Sequence, residues 1–418
     1  MSGRFDILIG GGSFAGLALA RALEVSLGGE LRIAVIERQR LRATGQSTDD
    51  GRAVALSAGS VRMLTALGVW PRIAALAQPI TGIEITDTSL EATVRLPVLS
   101  YANRLENDEV ASSVIETAPL RDALLAAVRG GPGVTLLDEL GIESFACDDH
   151  GARVVLTGGS TLIGALLVAA DGRRSALRDA AGIKSVGWSH GQTGIITIVA
   201  HELPHGGRAT QHFLPAGPFA ILPLPGAGAF PGGGRACVTW TEDAGRAATI
   251  MGLDDSGFLA ELESRFGTRL GTLALAGPRS SYPLDTHLAR AYVARRFALI
   301  GDAAHAVHPI GGQGLNLALR DVAALTEAVA DAARLGLDIG GGEPLERYER
   351  WRRFDGAVSA ATMDGLNRLF SNDWVLARTL RDAGAGVVDR LPSLKDLIVR
   401  QAAGVSGDIP KLLQGLPA

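Results

Sequence analysis

The chain has 418 residues, 47% of them hydrophobic and 20% charged, which is the composition of a globular protein with two or three domains and excludes a disordered or fibrous chain. Lys+Arg 40 against Asp+Glu 44 gives a net charge of -4, so no basic excess points to nucleic acid. Two cysteines, Cys147 and Cys237, lack metal-ligand spacing and predict a reduced, cytoplasmic setting without a zinc or iron–sulfur site; no apolar run reaches membrane-spanning length, and a strand begins almost at the first residue, so no signal peptide is expected.

In chain order, Phe5 to Ile9 is a short apolar strand, and Gly10-Gly11-Gly12-Ser13-Phe14-Ala15-Gly16 leads into a helix from Leu17. This opens a βαβ dinucleotide unit. Two registers fit: Gly10-x-Gly12-x-x-Ala15 by its letters, and Gly11-x-Ser13-x-x-Gly16 by strand length, which is preferred. Leu31 to Ile36 is a second strand ended by Glu37, 21 residues after Gly16, near the spacing of an acid that binds a ribose 2′-OH. A carboxylate there repels a 2′-phosphate, so the dinucleotide is FAD or NAD. Arg52 is a cation ahead of the predicted helix Ser57 to Leu67. Ile83 to Asp87 and Ala92 to Leu96 alternate like a hairpin. A helix over Pro119 to Val128 carries Arg121, and short strands follow at Val134 to Leu137, Ala152 to Leu156 and Ala165 to Ala170. Asp171-Gly172 then repeats the arrangement of strand, turn and helix.

From about 185 to 285 the pattern is rich in strands: Gly194 to Ala200, Ala209 to Phe213, Phe219 to Leu224 and Ala236 to Trp240, then a helix near Gly257 to Phe266. A third glycine loop, Gly301 to Asn316, follows the apolar run Phe297 to Ile300 and begins another helix. From about 343 the chain is mostly helical. The expected fold class is therefore α/β: a Rossmann-like dinucleotide domain (1–78, 101–183 and 284–342) interrupted by β-sheet material (79–100 and 184–283), with a helical C-terminal segment, 343–418. Leu391, Leu394, Leu397, Ile398 and Ala402 fall on one helix face, with Leu412, Leu413 and Leu416 beyond. Packing against the dinucleotide domain outweighs a membrane or partner dock as the reading of that face.

Gly11 to Gly16, Asp171-Gly172 and Gly301-Asp302, in that order over nearly the whole chain, resemble the flavoprotein aromatic hydroxylases of the para-hydroxybenzoate hydroxylase fold. His308-Pro309-Ile310-Gly311-Gly312-Gln313-Gly314-Leu315-Asn316, supported by Asp364 to Asn372, is similar to the ubiquinone-biosynthesis hydroxylases among them. Ser13, and Ala318 where that subgroup usually carries glycine, depart from the pattern without removing a charge or donor.

The resemblance implies FAD as cofactor, with Gly11, Gly12, Ser13, Phe14, Ala15 and Gly16 along the pyrophosphate and Glu37 on the adenine ribose. It sets Arg52 and Arg121 toward the pyrophosphate or flavin, and Asp171 and Gly172 toward FAD and the nicotinamide donor. Gly301 and Asp302 meet the ribityl chain, and Pro309, Gly312, Gln313, Gly314, Leu315 and Asn316 meet the flavin. It also implies that NADH or NADPH reduces the flavin, and that O2 then gives a C4a-hydroperoxide which attacks an electron-rich ring, here a polyprenyl phenol. Catalytic residues stay unassigned. His212 and Tyr282 are able to act as a base, with a structural role the heavier reading for both. Phe213, Phe219, Ile221, Leu222, Pro223 and Trp240 are candidate pocket-lining residues. Expected partners are a ubiquinone-biosynthesis protein complex or the inner face of the membrane. The alternatives are a hydroxylase of a small soluble aromatic, a flavin-binding assembly subunit without turnover, and a quinone reductase.

Overall fold

A computed structural model describes residues 2–43, 51–87, 95, 97–370, 396 and 399–418. Leu391, Leu394, Leu397, Ile398 and most of the expected strand Ala92 to Leu96 lie outside them.

The N-terminal strand Ile7–Gly10 is buried along its whole length, as a run of apolar residues without alternation requires when both sheet faces are covered. It lies inside a six-stranded sheet, between Leu166–Ala169 and Ile33–Ile36, with Phe297–Leu299 and Val293–Ala294 beyond one neighbour and Val134–Leu137 beyond the other. All of these pairings are parallel except that of Val293–Ala294. Parallel strands present their carboxyl ends at one edge, so Gly10, Ile36, Ala169 and Leu299 all end there. Helix Phe14–Ser26 buries Leu17, Leu19 and Leu23 against this sheet, each side chain stabilising the fold by about 1.5–3 kcal/mol. Helix Gly314–Arg334 packs beside it.

A second, nine-stranded sheet is built mainly from Ser185–His201, Arg208–Leu214, Gly217–Leu224, Gly234–Asp243 and Ser280–Ala289. Strand Gly82–Asp87 joins it by pairing parallel to Arg208–Leu214, and its antiparallel partner is Leu99–Ala102. The hairpin partner thus lies later in the chain than the alternation of Ala92 to Leu96 suggested. Helices Ala244–Met251 and Asp255–Phe266 cover one face of this sheet, and the other face looks toward the glycine loops. Helix Gly342–Phe370 follows the expected C-terminal pattern. Beyond it Leu412 and Leu413 are buried in the main core, while Ala402 is exposed and Val399 and Ala403 pack inward instead. Among the described residues no helix is long and apolar enough to cross a membrane.

Candidate cofactor and substrate site

The first loop settles its own register. The strand ends at Gly10, and Gly11 has φ +117°, a conformation that favours glycine. A Cβ on Gly11 would collide with the Ala170 carbonyl, and a Cβ on Gly16 with the Gly11 carbonyl. Gly11 therefore makes the turn and Gly16 allows the helix to approach the strand, which is the Gly11-x-Ser13-x-x-Gly16 register. Ser13 is the exposed N-cap of helix Phe14–Ser26, and its hydroxyl makes no cap bond. The first-turn amides have no intrahelical partner, so this helix end is suited to an anion. Phe14 and Ala15 are half-buried against the core.

Glu37 sits at the carboxyl end of the adjacent strand. Its Oε2 accepts from the Gly12 amide at 2.7 Å and its Oε1 from Gln39 at 3.0 Å. The Gly12 N–H is therefore turned to Glu37 and away from a phosphate, a correction to its expected role. The carboxylate keeps further lone pairs for a ribose hydroxyl.

The other two loops meet the first. Asp171 follows Ala170, and its carboxylate accepts from the Ser175 hydroxyl at 2.5 Å and the Leu177 amide at 3.2 Å. Its side chain thus braces the start of helix Ala176–Ala180. Gly172 has φ +84°. Gly301 packs so closely that a Cβ on it would be 3.2 Å from that of Ala318 and 3.4 Å from that of Ala15. The Ala318 methyl fits because Gly301 has no side chain. Asp302 is solvent-accessible but has protein on most sides, which places its carboxyl in a recess; desolvation raises its pKa and the Arg173 guanidinium opposes the rise.

Gly311 and Gly312 have φ +69° and +64°. The Gly312 amide donates to the half-buried Pro309 carbonyl at 2.9 Å, and Gln313 Nε2 donates to the Gly311 carbonyl at 3.2 Å. Helix Gly314–Arg334 starts immediately after, with no side-chain cap and no acid in its first turn. The Gly314 and Leu315 amides open a long helix whose dipole favours negative charge. Asn316 is different. It is buried, its Oδ1 accepts from the Ser57 amide at 2.9 Å and the Ser60 hydroxyl at 2.8 Å, and its Nδ2 donates to the Ala55 carbonyl at 2.9 Å. Its side chain ties the loop to strand Ala53–Ser57 and does not face a cofactor.

Arg52 immediately precedes that strand, which separates it from helix Ala58–Ala66, a start one residue beyond the expected Ser57. Arg52 and Arg173 both act electrostatically on Tyr282. Arg121, on helix Thr117–Arg129, has a buried Nε without a hydrogen-bond partner.

Two bracing residues, Asp321 and Arg178, have no counterpart among the expected site residues. Asp321, fully buried, accepts from the Gly301 amide at 2.8 Å, His305 Nε2 at 2.7 Å and Arg352 Nε at 2.7 Å. These charged and hydrogen-bonded partners hold its carboxyl below the usual range against the opposing effect of burial. Its one sequence signal is an acid inside the apolar run Leu317 to Leu325. The buried Arg178 bonds the carbonyls of Arg173 and Ala303, each at 3.2 Å, and so joins the second loop to the third. His308 is buried with neither ring nitrogen hydrogen-bonded.

The nine-stranded sheet divides the expected pocket residues between its faces. Phe219, Ile221 and Trp240 belong to the cluster under helices Ala244–Met251 and Asp255–Phe266, and Pro223, paired with Ala236 of that cluster, shares the face. They are core residues on the far side. Leu222 and Ala209 pack with Ala55, beside Gly312, on the near face, and Phe213 shares it by the period of two along its strand. His212 pairs with Phe219 on the far face and hydrogen-bonds Thr86 at 2.6 Å, with burial pushing its pKa down to about 4. It cannot reach the loops. Tyr282 pairs with Gly194 and packs on the near face, and desolvation raises its pKa.

A family model described as an FAD binding domain matches residues 4–356. The ubiquinone hydroxylase UbiL of Rhodospirillum rubrum is 39% identical over 415 residues, covering 99% of this chain and 93% of that one. The 3-demethoxyubiquinol 3-hydroxylase of Escherichia coli is 30% identical over 96% of this chain and 98% of that one. The chain belongs to the FAD-dependent hydroxylases of ubiquinone biosynthesis. It is an FAD-dependent monooxygenase. Its fold is shared with p-nitrophenol 4-monooxygenase PnpA of Pseudomonas putida (TM-score 0.76, 19% identity, 96% of this chain and 97% of that one). The turn at Gly11, the close approach at Gly16, the oriented Glu37 carboxylate and the orphaned Arg121 Nε all fit this family's cofactor.

Proposed function

We propose that this monooxygenase hydroxylates the ring of a polyprenylated phenol, a ubiquinone precursor, with O2 as oxidant and NADH or NADPH as electron donor. The observation that carries this reading is the convergence of three glycine loops at one sheet edge, facing the near side of a second sheet. In this reading FAD supplies the activation of oxygen. The helix beginning at Phe14 and the Arg121 guanidinium hold its pyrophosphate, Glu37 its adenine ribose and Asp302 its ribityl hydroxyls. The Gly312 to Leu315 backbone borders the flavin ring, where the helix dipole stabilises negative charge. The second loop, at Asp171 and Gly172, would contact FAD and the nicotinamide donor. The near face of the nine-stranded sheet, including Phe213, Leu222 and Tyr282, closes over the substrate ring and excludes water.

An apolar, tail-bearing substrate is also the ground for proposing contact with the cytoplasmic membrane surface or with other ubiquinone-biosynthesis proteins. The deciding experiment measures NADH and NADPH oxidation and oxygen uptake with prenylated and unprenylated phenols. Stimulation by prenylated phenols, together with loss of one hydroxylated quinone intermediate in cells lacking the protein, is the expected outcome. Stimulation by small phenols alone would replace this substrate class. Failure of bound flavin to be reduced by either donor would replace turnover with an assembly role.

A further inference from the structure

His308 stands immediately before Pro309 in the third loop, between that loop and the near face of the nine-stranded sheet. It is 1% exposed, and neither Nδ1 nor Nε2 has a hydrogen-bond partner. Other buried histidines each engage a ring nitrogen: His201 with the Leu203 carbonyl, His212 with Thr86 and His305 with Asp321. An imidazole buried with both nitrogens unanswered costs stability, and a fold tolerates such a group where a ligand completes it.

The surroundings of His308 are polar and ordered. Its ring meets that of His190 edge to face, with centroids 5.1 Å apart and planes at 89°. His190 Nε2 is 2.9 Å from the Thr286 hydroxyl, and its Nδ1 is 3.8 Å from Asp364 Oδ1. Asp364 in turn accepts from Trp188 Nε1 at 3.0 Å and pairs with Arg368 at 2.9 Å. Asn367, one turn further along the helix that carries Asp364, donates to Gln192 at 3.0 Å. This network draws on two strands of the near face, the long helix Gly342–Phe370 and the third loop.

We propose that His308 is a catalytic residue that accepts the proton of the substrate's ring hydroxyl, with His190 and Asp364 as positioning residues behind it. The inference rests on the reading of the chain as a phenol hydroxylase. In the step, the phenolic O–H bond breaks and its electron pair stays on oxygen. An N–H bond forms on the His308 ring, and no electron enters or leaves the protein. The resulting phenolate pushes charge into the ring and makes it a better nucleophile toward electrophilic oxygen. Burial, with a smaller contribution from His190, pushes the His308 pKa down to about 3, against the opposing Asp364 carboxylate. The ring is therefore neutral in the empty site; so low a value opposes protonation, and the charge of the bound phenolate, together with Asp364, must raise it for the transfer to occur. The imidazolium forms only beside the phenolate it has created. The charged or titratable groups around it are His190, Asp364, Arg368 and, next to His190, Asp285.

The test uses the FAD-loaded full chain and 2-prenyl-4-nitrophenol as a chromophoric probe. In the native protein the phenolate band of the bound probe is expected to persist about one pH unit or more below the midpoint of the free probe. His308→Gln, which can still hydrogen-bond the hydroxyl, is expected to bind the probe and keep it as the phenol at those pH values. Asp364→Asn is expected to give an intermediate midpoint. Histidine NMR of the native protein adds a readout that needs no variant to fold: probe binding is expected to move the His308 ring signals. An unchanged phenolate band in His308→Gln, or His308 signals indifferent to the probe, overturns the assignment. If the native protein turns over prenylated phenols while those results hold, only this inference fails. If it neither binds the probe nor responds to prenylated phenols, the hydroxylase reading fails with it.

Discussion

The first and third glycine loops converge at the same sheet edge but are held in different ways. Gly11 to Gly16 is shaped mainly by backbone: a positive φ at Gly11 and two positions where a Cβ would overlap a carbonyl, with a single side-chain contact, the Glu37 carboxylate of the next strand. Gly301 to Asn316 is held by buried side chains from distant parts of the chain. Asp321 and Arg352 fix Gly301, and Asn316 clamps Ser57, Ser60 and Ala55. A loop built from backbone fails abruptly when space is removed. A loop braced by side chains fails by degrees as each brace is lost.

That contrast can be broken or sharpened by substitution. The largest effect is expected from Gly16→Val, whose side chain has nowhere to go against the Gly11 carbonyl. Its cost should exceed about 4 kcal/mol, read as failure to recover folded, flavin-containing protein. Next is Asp321→Ala, which leaves the buried Arg352 with Asp355 as its remaining carboxylate partner. About 3–5 kcal/mol of stability should be lost, measured by chemical denaturation, together with weaker flavin retention. Asn316→Ala should cost about 1–3 kcal/mol, because the Ser57 amide loses its partner inside the protein. Its flavin affinity should fall while the first loop stays intact by hydrogen exchange.

Glu37→Gln keeps an acceptor for the Gly12 amide and removes the charge, so it should weaken FAD binding by roughly tenfold, about 1.4 kcal/mol, in titrations of apoprotein, with little change in unfolding. Equal losses for Asn316→Ala and Gly16→Val would erase the distinction between the loops. The effect that is smallest at neutral pH lies outside both. His212 and His287 have pKa values pushed down to about 4, both chiefly by burial. Each is neutral when folded and gains a proton on unfolding below an ordinary value of about 6.5. Stability should therefore fall as pH drops from about 6.5 toward 4. His212→Gln should flatten that slope by about one proton, near 1.4 kcal/mol per pH unit, without altering flavin content.

The order of elements was legible in the sequence because local physics writes it there. Apolar runs without alternation marked the parallel strands, and glycines followed by alanine- and leucine-rich segments marked the turns into helices. The place of Glu37 at the end of its strand was readable from the sequence. The braces were not. Asn316 and Ser57 are 259 positions apart, and neither residue type announces the other. Asp321 looked like an ordinary acid on a helix, although its place within an apolar run was a usable clue. The expected pocket residues show the limit most plainly. Phe219, Ile221, Leu222 and Pro223 were all expected to line one pocket, but along the strand Gly217–Leu224 Phe219 and Ile221 turn to the helices, and Leu222 to the loops.

By itself the sequence determined the strand-loop-helix units and their order, because glycine conformation and strand periodicity are short-range properties. Only the tertiary structure decided which register the first loop adopts, which sheet face looks inward, and which buried side chains brace the third loop or, like His308, stand beside it unpaired. Those depend on contacts between residues far apart in the chain, which exist only once the sheets have packed.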